Sequence, residues 1–287
     1  MTASKGRILT GHRPTGPRHI GHLVGTLEQW AKMQDDYECY FLIADLHVLT
    51  TDYEHPERIQ ENIINVVADW LAAGIDPSKA TLVRQSALAQ HAQLSQLFGM
   101  MTTVARLERV PTYKDQIQNL GLNPSLGLLA YPVLQSADIL VYKANLVPVG
   151  EDQLPHIELT REIARRFNTL YGETFPEPDG LLTKTARLPG VDNRTMHSSY
   201  NNAIRFIESE EDTTKKVMSM YTDPTRLRAT DPGTVEGNPV FEYHDVFNPN
   251  KDEVEDFKTR YREGKVGDVE VKKSLAAVLN TYLRPIR

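Results

Sequence analysis

Two histidines three residues apart, His19 and His22, follow a glycine- and proline-rich stretch in ILTGHRPTGPRHIGHLVG, Ile8 to Gly25. At that spacing on the first turn of a helix, two imidazoles can face the same ligand. A helix N-terminus presents outward N–H groups and the positive end of its dipole, which favours an anion. Gly16 and Gly21 let a flat or bulky group come close to the backbone. Two imidazoles there can donate hydrogen bonds to phosphoryl oxygens as charge builds in a transition state. The run is not a Walker loop, because no G-x-x-x-x-G-K-[ST] occurs in it.

A second pair is Gln135 and Asp138, set among Val133, Leu134, Ile139 and Leu140. A carboxylate buried in such a segment needs a donor. The donor belongs either to a ligand or to a neighbouring turn that the carboxylate caps. Glu151, Asp152 and His156 are metal-ligating types, but they run from a turn into a helix without a metal-site spacing.

These residues need elements to hold them. Arg7–Gly11 reads as a strand, and Ile20, Leu23, Val24, Leu27 and Trp30 follow helical spacing. ECYFLIADLHVL is a nearly continuous apolar run, the pattern of a strand buried on both faces. Strand, turn, helix and strand within about fifty residues make a parallel unit. Pro56 opens a helix with Ile59, Ile63, Val67, Trp70 and Leu71 on one side, and Gly74 ends it. TLVRQS reads as a strand and QLSQLFGMMTTVARLER as a helix. The next helix is expected to start at Pro132, with ILVY and NLVPV as short buried strands. A further helix opens near Pro155, with Ile157, Ile163 and Phe167 inward. Beyond about Tyr200, charged helices in NNAIRFIESEEDTTKKVMSMY and VEVKKSLAAVLNTYL flank a polar centre, which predicts a second, mainly helical domain.

The 287 residues can bury a substantial core without staples. A net charge of −6 excludes a surface that attracts polyanions as a whole, so nucleic-acid binding needs a local basic patch. The single cysteine, Cys39, lies in an apolar run; it gives no intramolecular disulfide and suits a reducing compartment. No run approaches a membrane span and the N-terminus has no signal-peptide core, so a soluble cytoplasmic protein is expected.

PTGPRHIGHLVG resembles the first signature of the class I aminoacyl-tRNA synthetases. DLHVLT, YPVLQSADILVY and VPVGEDQLPHIELTREIARRFN resemble, in the right order, segments of the bacterial tryptophanyl-tRNA synthetases. LPGVDNRTMHSSYNNAI sits where that family carries its second signature, a K-M-S-K-S loop. The resemblance implies an α/β fold: a Rossmann-like parallel-sheet catalytic domain over 1–200, with a helical insertion over about 52–125, plus a C-terminal helical domain over 201–287 that binds the tRNA anticodon. It implies ATP with Mg²⁺ on its phosphates and no protein-bound metal. L-tryptophan and tRNA(Trp) are the implied partners, and a homodimer away from membranes the implied assembly. LRPIR matches a segment beyond which family members continue with a further helix, so the C-terminus is expected to be shortened.

Site roles follow the same resemblance. His19 and His22 stabilise charge on the reacting phosphate. Gly11, Arg13, Pro14, Thr15, Gly16, Gly21, Gly150, Glu151, Asp152, Met196, Ser198 and Ser199 surround ATP, with Asp152 on the ribose. Asp138 accepts the indole N–H. Tyr131 and Gln153 hold the ammonium or carboxylate, His47 lines the pocket, and Val147 and Val149 pack on the ring. An acceptor built for the indole N–H rejects ligands lacking that donor by about 10⁴-fold, and phenylalanine would leave Asp138 unpaired. Gln135 stands where the family usually has methionine and Leu9 where it has an aromatic, so the pocket is more polar and roomier, a setting for ring-substituted tryptophan.

The second signature has lost both lysines: it reads Thr195-Met196-His197-Ser198-Ser199. A third family lysine falls at Gln116, with Lys114 two residues before it. Each such loss costs about 3 kcal/mol in the activation step. Arg13, where the family commonly has glutamine, and Arg194 are expected to take part of the pyrophosphate contact, since arginine grips phosphate bidentately. Lys215, Lys216, Arg226, Arg228, Lys272 and Lys273 are the candidate tRNA contacts. A tyrosyl-type enzyme of the same fold and a non-enzymatic paralogue that binds tryptophan or ATP and a protein partner are the competing readings.

Overall fold

The computed structural model describes residues 5–120, 124–182, 188–196, 200–224, 226, 228 and 230–287, without the side chains of 115, 116 and 118–120. Strand β1 (Arg7–His12) leads to α1 (Ile20–His22), a π-helical turn over Leu23–Leu27 and α2 (Glu28–Met33). Then come β2 (Glu38–Ile43), α3 (Asp45–Val48), α4 (Ile59–Ala72) and β3 (Thr81–Arg84). Helices α5 (Gln90–Met101), α6 (Val104–Leu107), α7 (Pro111–Leu120) and α8 (Leu126–Val141) precede β4 (Leu146–Val149). After α9 (Leu154–Tyr171) and β5 (Asp179–Leu182) the chain carries α10 (Glu210–Met218), α11 (Pro239–Phe247), α12 (Lys251–Arg262) and α13 (Asp268–Leu283). No helix among the described residues is long and apolar enough to cross a membrane.

The chain forms two compact units, Met1–Gly16 with Glu28–Thr185, and Pro17–Leu27 with Ala186–Arg287. This differs from the expected partition at 200/201. The segment holding both signature histidines joins the second unit because its backbone pairs there. Ile20 N donates to Ile204 O at 3.0 Å and Phe206 N to Arg18 O at 3.2 Å.

In the first unit the five strands are parallel, in the order β3-β2-β1-β4-β5. The order reverses between β1 and β4, and in open sheets of this kind ligands sit beyond the carboxyl ends of strands at that point. Residues 13–16 leave β1 there, and Gly150 follows β4. Gly11 is required by the pairing itself: a Cβ on it would lie 2.1 Å from Leu42 O. Leu9, Leu42, Val83, Ile139, Val147, Val149 and Ile157 form one buried cluster about the sheet; Phe98, Leu128, Val133 and Ile163 centre another among the helices.

Several local expectations change. The run ECYFLIADLHVL is a strand only to Ile43. Asp45 then turns the chain, accepting from Ser86 N at 2.9 Å and Arg84 Nε at 2.8 Å. Helix α4 buries Ile63, Val66 and Trp70, whereas Leu71 faces out and Val67 is only half-buried. Helix α8 begins six residues before Pro132, capped by the Ser125 hydroxyl on Leu128 N, and it absorbs ILVY, expected as a strand. The expected insertion over 52–125 is not wholly helical, since β3 within it pairs with β2.

In the second unit α10 packs on α13, with Val217, Leu275 and Leu279 buried. Only Glu210–Met218 of the charged segment after Tyr200 is helical.

Candidate active site

His19 caps α1, and its ring centroid lies 3.8 Å from that of His22. The two imidazoles therefore form a close pair, as the spacing required. The His22 pKa is pushed down to about 2, chiefly by burial and further by the charges of His19 and Arg18. His22 thus meets a ligand as a neutral imidazole. Gly21 sits against the other signature: a Cβ there would lie 2.9 Å from Met196 Sδ and 3.0 Å from His19 Nδ1. Both signature segments accordingly meet within the second unit.

The second-signature turn is held by its own side chains. Pro189 and Thr195 form an antiparallel bridge, and Asn202 Nδ2 donates to Asp192 Oδ1 at 2.9 Å and Thr195 O at 3.0 Å. Arg194 donates from Nε to Asp192 Oδ2 at 2.7 Å and lies over the Tyr200 ring at 5.4 Å. His197, Ser198, Ser199 and the Gln116 side chain lie outside the described residues. In the first unit, Arg13 Nη2 donates to Thr51 Oγ1 at 2.5 Å, and burial lowers its pKa against the pull of Asp52 and Tyr131.

Asp138 is buried on α8 and is not waiting for a donor. Its Oδ1 accepts from Gln85 Nε2 at 2.8 Å and meets His91 Nδ1 at 2.6 Å. Its Oδ2 meets His47 Nε2 at 2.8 Å and accepts from Gln85 Nε2 at 2.9 Å. The expectation that phenylalanine would leave Asp138 unpaired is therefore corrected. Burial works to raise the Asp138 pKa, but the hydrogen bonds from His47 and His91 outweigh it and hold the group ionised below the usual carboxylate range. Gln85 is itself fixed, accepting from Leu46 N at 3.0 Å. His91 Nε2 is 2.8 Å from the Tyr142 hydroxyl, whose pKa is raised by burial first and then by Asp138. The sequence reading missed Gln85, His91 and Tyr142. The one signal for Gln85 was its place just beyond the carboxyl end of a parallel strand.

Tyr131, also on α8, is buried and lies edge-on to His47, with ring centroids 6.5 Å apart. Leu9, Val147 and Val149 come together in the buried sheet cluster. Gln135 is half-buried on α8. Glu151, Asp152 and Gln153 form a 3-10 turn after Gly150, and Gln153 Nε2 donates to Asp152 Oδ2 at 2.8 Å. Pro14 is buried and Thr15 exposed, and Gly16 has φ +135°, a conformation glycine alone adopts easily. No group of three or more metal-ligating side chains among the described residues is arranged to hold an ion. Cys39 is buried, and burial raises its thiol pKa to about 11, which makes it inert.

Three of the candidate tRNA contacts are structural. Lys272 is buried, donating to Met220 O at 2.6 Å and Thr222 Oγ1 at 2.7 Å. Arg226 is buried, 3.1 Å from Asp268 and stacked on Tyr261. Lys216 pairs with Glu208 at 2.5 Å. Lys215, Arg228 and Lys273 remain exposed.

The first unit is a parallel α/β sheet with the strand-order reversal of a nucleotide-binding fold and a buried carboxylate held ionised on α8, and the second unit pairs two histidines with a second signature turn; these are the features of a class I synthetase. The profile of the class I tRNA synthetases (W and Y) matches residues 1–284, and the chain belongs to this family. A tryptophan–tRNA ligase of Treponema pallidum is 52% identical over 289 residues, covering 98% of this chain and 85% of that protein. One from Chlamydia caviae is 50% identical over 291 residues, covering 99% of this chain and 84% of its own. The crystal structure of the tryptophanyl-tRNA synthetase of Campylobacter jejuni, complexed with ADP and tryptophan, superposes with a TM-score of 0.89 at 33% identity, covering 98% of this chain and 87% of that one.

Proposed function

We propose that this chain ligates L-tryptophan to tRNA(Trp) at the expense of ATP, through a tryptophanyl-adenylate. The observation that carries the reading is the ionised, buried Asp138 with its His47, Gln85 and His91 donors, in a chain about half identical to tryptophan–tRNA ligases over nearly its whole length. The tryptophan carboxylate attacks the α-phosphorus of ATP, the bond to the β-phosphate oxygen breaks, and pyrophosphate leaves. A hydroxyl of the terminal tRNA ribose then attacks the mixed anhydride and AMP departs. Mg²⁺ bound to the ATP phosphates would neutralise part of their charge.

This chain's residues bind and orient. His19 and His22 donate hydrogen bonds to the phosphate oxygens where charge develops, His22 as a neutral imidazole. Gly11, Arg13, Pro14, Thr15, Gly16, Gly21, Gly150, Glu151 and Asp152 contact the nucleotide, and Met196, Ser198 and Ser199 its phosphates. Tyr131 and Gln153 take the amino-acid head, and His47 and Asp138 the indole. Arg13 and Arg194 take the place of the missing signature lysines on pyrophosphate. Lys215, Arg228 and Lys273 support a tRNA-binding role for the C-terminal helices. Leu97, Met100, Val104 and Leu126, exposed on the first unit, support a second copy of the chain as partner. A cytoplasmic setting fits the lone thiol.

ATP–pyrophosphate exchange, run with tryptophan and with tyrosine, tests the reading. Exchange with tryptophan alone supports it, and exchange with tyrosine alone overturns it. The lysine-free Thr195–Ser199 loop favours a second reading, a non-enzymatic binder of tryptophan or ATP that regulates a protein partner. Tryptophan binding without exchange at high enzyme concentration would establish that alternative. Gln135 and Leu9 further support acceptance of ring-substituted tryptophan. Equal kcat/KM losses for every analogue, relative to a family enzyme with methionine at that place, count against it.

A further inference from the structure

Thr112 and His156 join Tyr131 in a polar triad, and no role above uses either of the two. Thr112 Oγ1, on α7, lies 2.5 Å from the Tyr131 hydroxyl and 2.7 Å from His156 Nε2 on α9. Tyr131 and His156 are themselves 3.4 Å apart. His156 is 1% exposed, and its Nδ1 has no hydrogen-bond partner among the described residues. The three side chains thus come from three helices to one point, at the hydroxyl expected to meet the amino-acid head.

We propose that Thr112 and His156 are positioning residues for amino-acid recognition: Thr112 Oγ1 accepts the hydrogen bond donated by the Tyr131 hydroxyl, so that Tyr131 turns an oxygen lone pair toward the substrate ammonium. The inference rests on the tryptophan reading. A hydroxyl holds one hydrogen and offers two lone pairs, so Thr112 Oγ1 can accept from Tyr131 whichever ring nitrogen of His156 carries hydrogen. A phenol whose proton is directed to another partner is an acceptor toward everything else. His156 serves the same end by staying uncharged. Its pKa is lowered to about 4, chiefly by burial, so at neutral pH no imidazolium stands 3.4 Å from the oxygen that is to hold a cation. Thr112 is the link between both neighbours, because its oxygen lies within hydrogen-bond distance of each.

The test compares two ligands that differ in one group. Tryptophan and indole-3-propionate share ring and carboxylate, but only tryptophan carries the ammonium. Their affinities for the full chain are measured by calorimetry for the wild type, Thr112→Val and Thr112→Ser. Thr112→Val keeps the shape and removes the acceptor; it is expected to weaken tryptophan about 10-fold, the scale of one lost hydrogen bond, while indole-3-propionate stays within about 2-fold. Thr112→Ser restores tryptophan affinity. Equal weakening of both ligands, or of neither, overturns the proposal, because a packing defect does not single out the ammonium. If the wild type binds neither indole, the tryptophan reading itself falls and takes this inference with it.

Discussion

His91 binds Asp138 through Nδ1 at 2.6 Å and passes its other nitrogen, at 2.8 Å, to Tyr142. All three side chains hang from the contact of α5 with α8, and His91 is fully buried. Removing a charge-assisted donor from a buried carboxylate leaves the charge short of a partner, which costs more than the bond is worth on its own. His91→Ala is expected to lower stability by about 2–4 kcal/mol, and Tyr142→Phe, which removes only the outer bond, by about 1 kcal/mol. Urea unfolding of both variants checks the order. A His91→Ala effect no larger than that of Tyr142→Phe would mean that Asp138 does not depend on this donor.

His47 is the one of the three Asp138 donors that reaches solvent: its side chain is 11% exposed, whereas that of His91 is 0%. An incoming indole N–H therefore competes with His47 for a carboxylate already satisfied. Discrimination against phenylalanine is then an exchange of donors and falls short of the penalty for a bare carboxylate. In His47→Ala the acceptor has a vacancy that only an indole fills. The tryptophan-to-phenylalanine ratio of kcat/KM in pyrophosphate exchange is expected to rise about 10-fold, even as absolute rates fall. An unchanged ratio would separate His47 from side-chain selection.

The parts of the fold carried by short-range pattern were legible. β1, β3 and β4 are brief apolar runs ended by turn residues, and the α9 face at Ile157 and Ile163 follows its period. Pro132 misled because proline favours a first turn. Here the Ser125 cap starts the helix earlier, and the Ser136 hydroxyl donates to Pro132 O at 2.9 Å within the same turn of α8. Gln85 and His91 could not be matched to Asp138 from the sequence, since they lie 53 and 47 residues away and meet it only once sheet and helices are assembled. Lys272 reads as a solvated charge, yet its ammonium satisfies carbonyls just beyond the end of α10. The histidine pair was legible because its geometry is local to one turn.

The second-signature turn sets a rate prediction. Arg194 is tied to Asp192, so a pyrophosphate must compete with a carboxylate for it. Arg13→Ala and Arg194→Ala are each expected to slow ATP–pyrophosphate exchange about 10-fold or more. Returning the family lysines with Thr195→Lys and Ser198→Lys together is expected to accelerate it about 100-fold, by restoring charge where the leaving group separates. Unchanged exchange in both arginine variants would end their assignment to pyrophosphate.

His156 makes folding sensitive to acid, and the direction follows from its shift. Its pKa is near 6.5 in the unfolded chain and about 4 in the folded one, lowered chiefly by burial. Between those values the unfolded state binds a proton that the folded state refuses. The stability is therefore fully present above about pH 6.5 and is lost as pH falls toward 4, at up to about 1.4 kcal/mol per pH unit for this one group. His22, lowered to about 2, acts in the same direction and extends the loss to lower pH. Thermal unfolding from pH 7 to pH 4.5 should show Tm falling in the wild type and falling less steeply in His156→Asn, which keeps a polar group near Thr112 but does not titrate. The comparison is between slopes, so a uniform loss of stability in the variant does not disturb it. Parallel slopes would show that His156 already titrates normally in the folded protein, and that its burial is not what keeps it neutral.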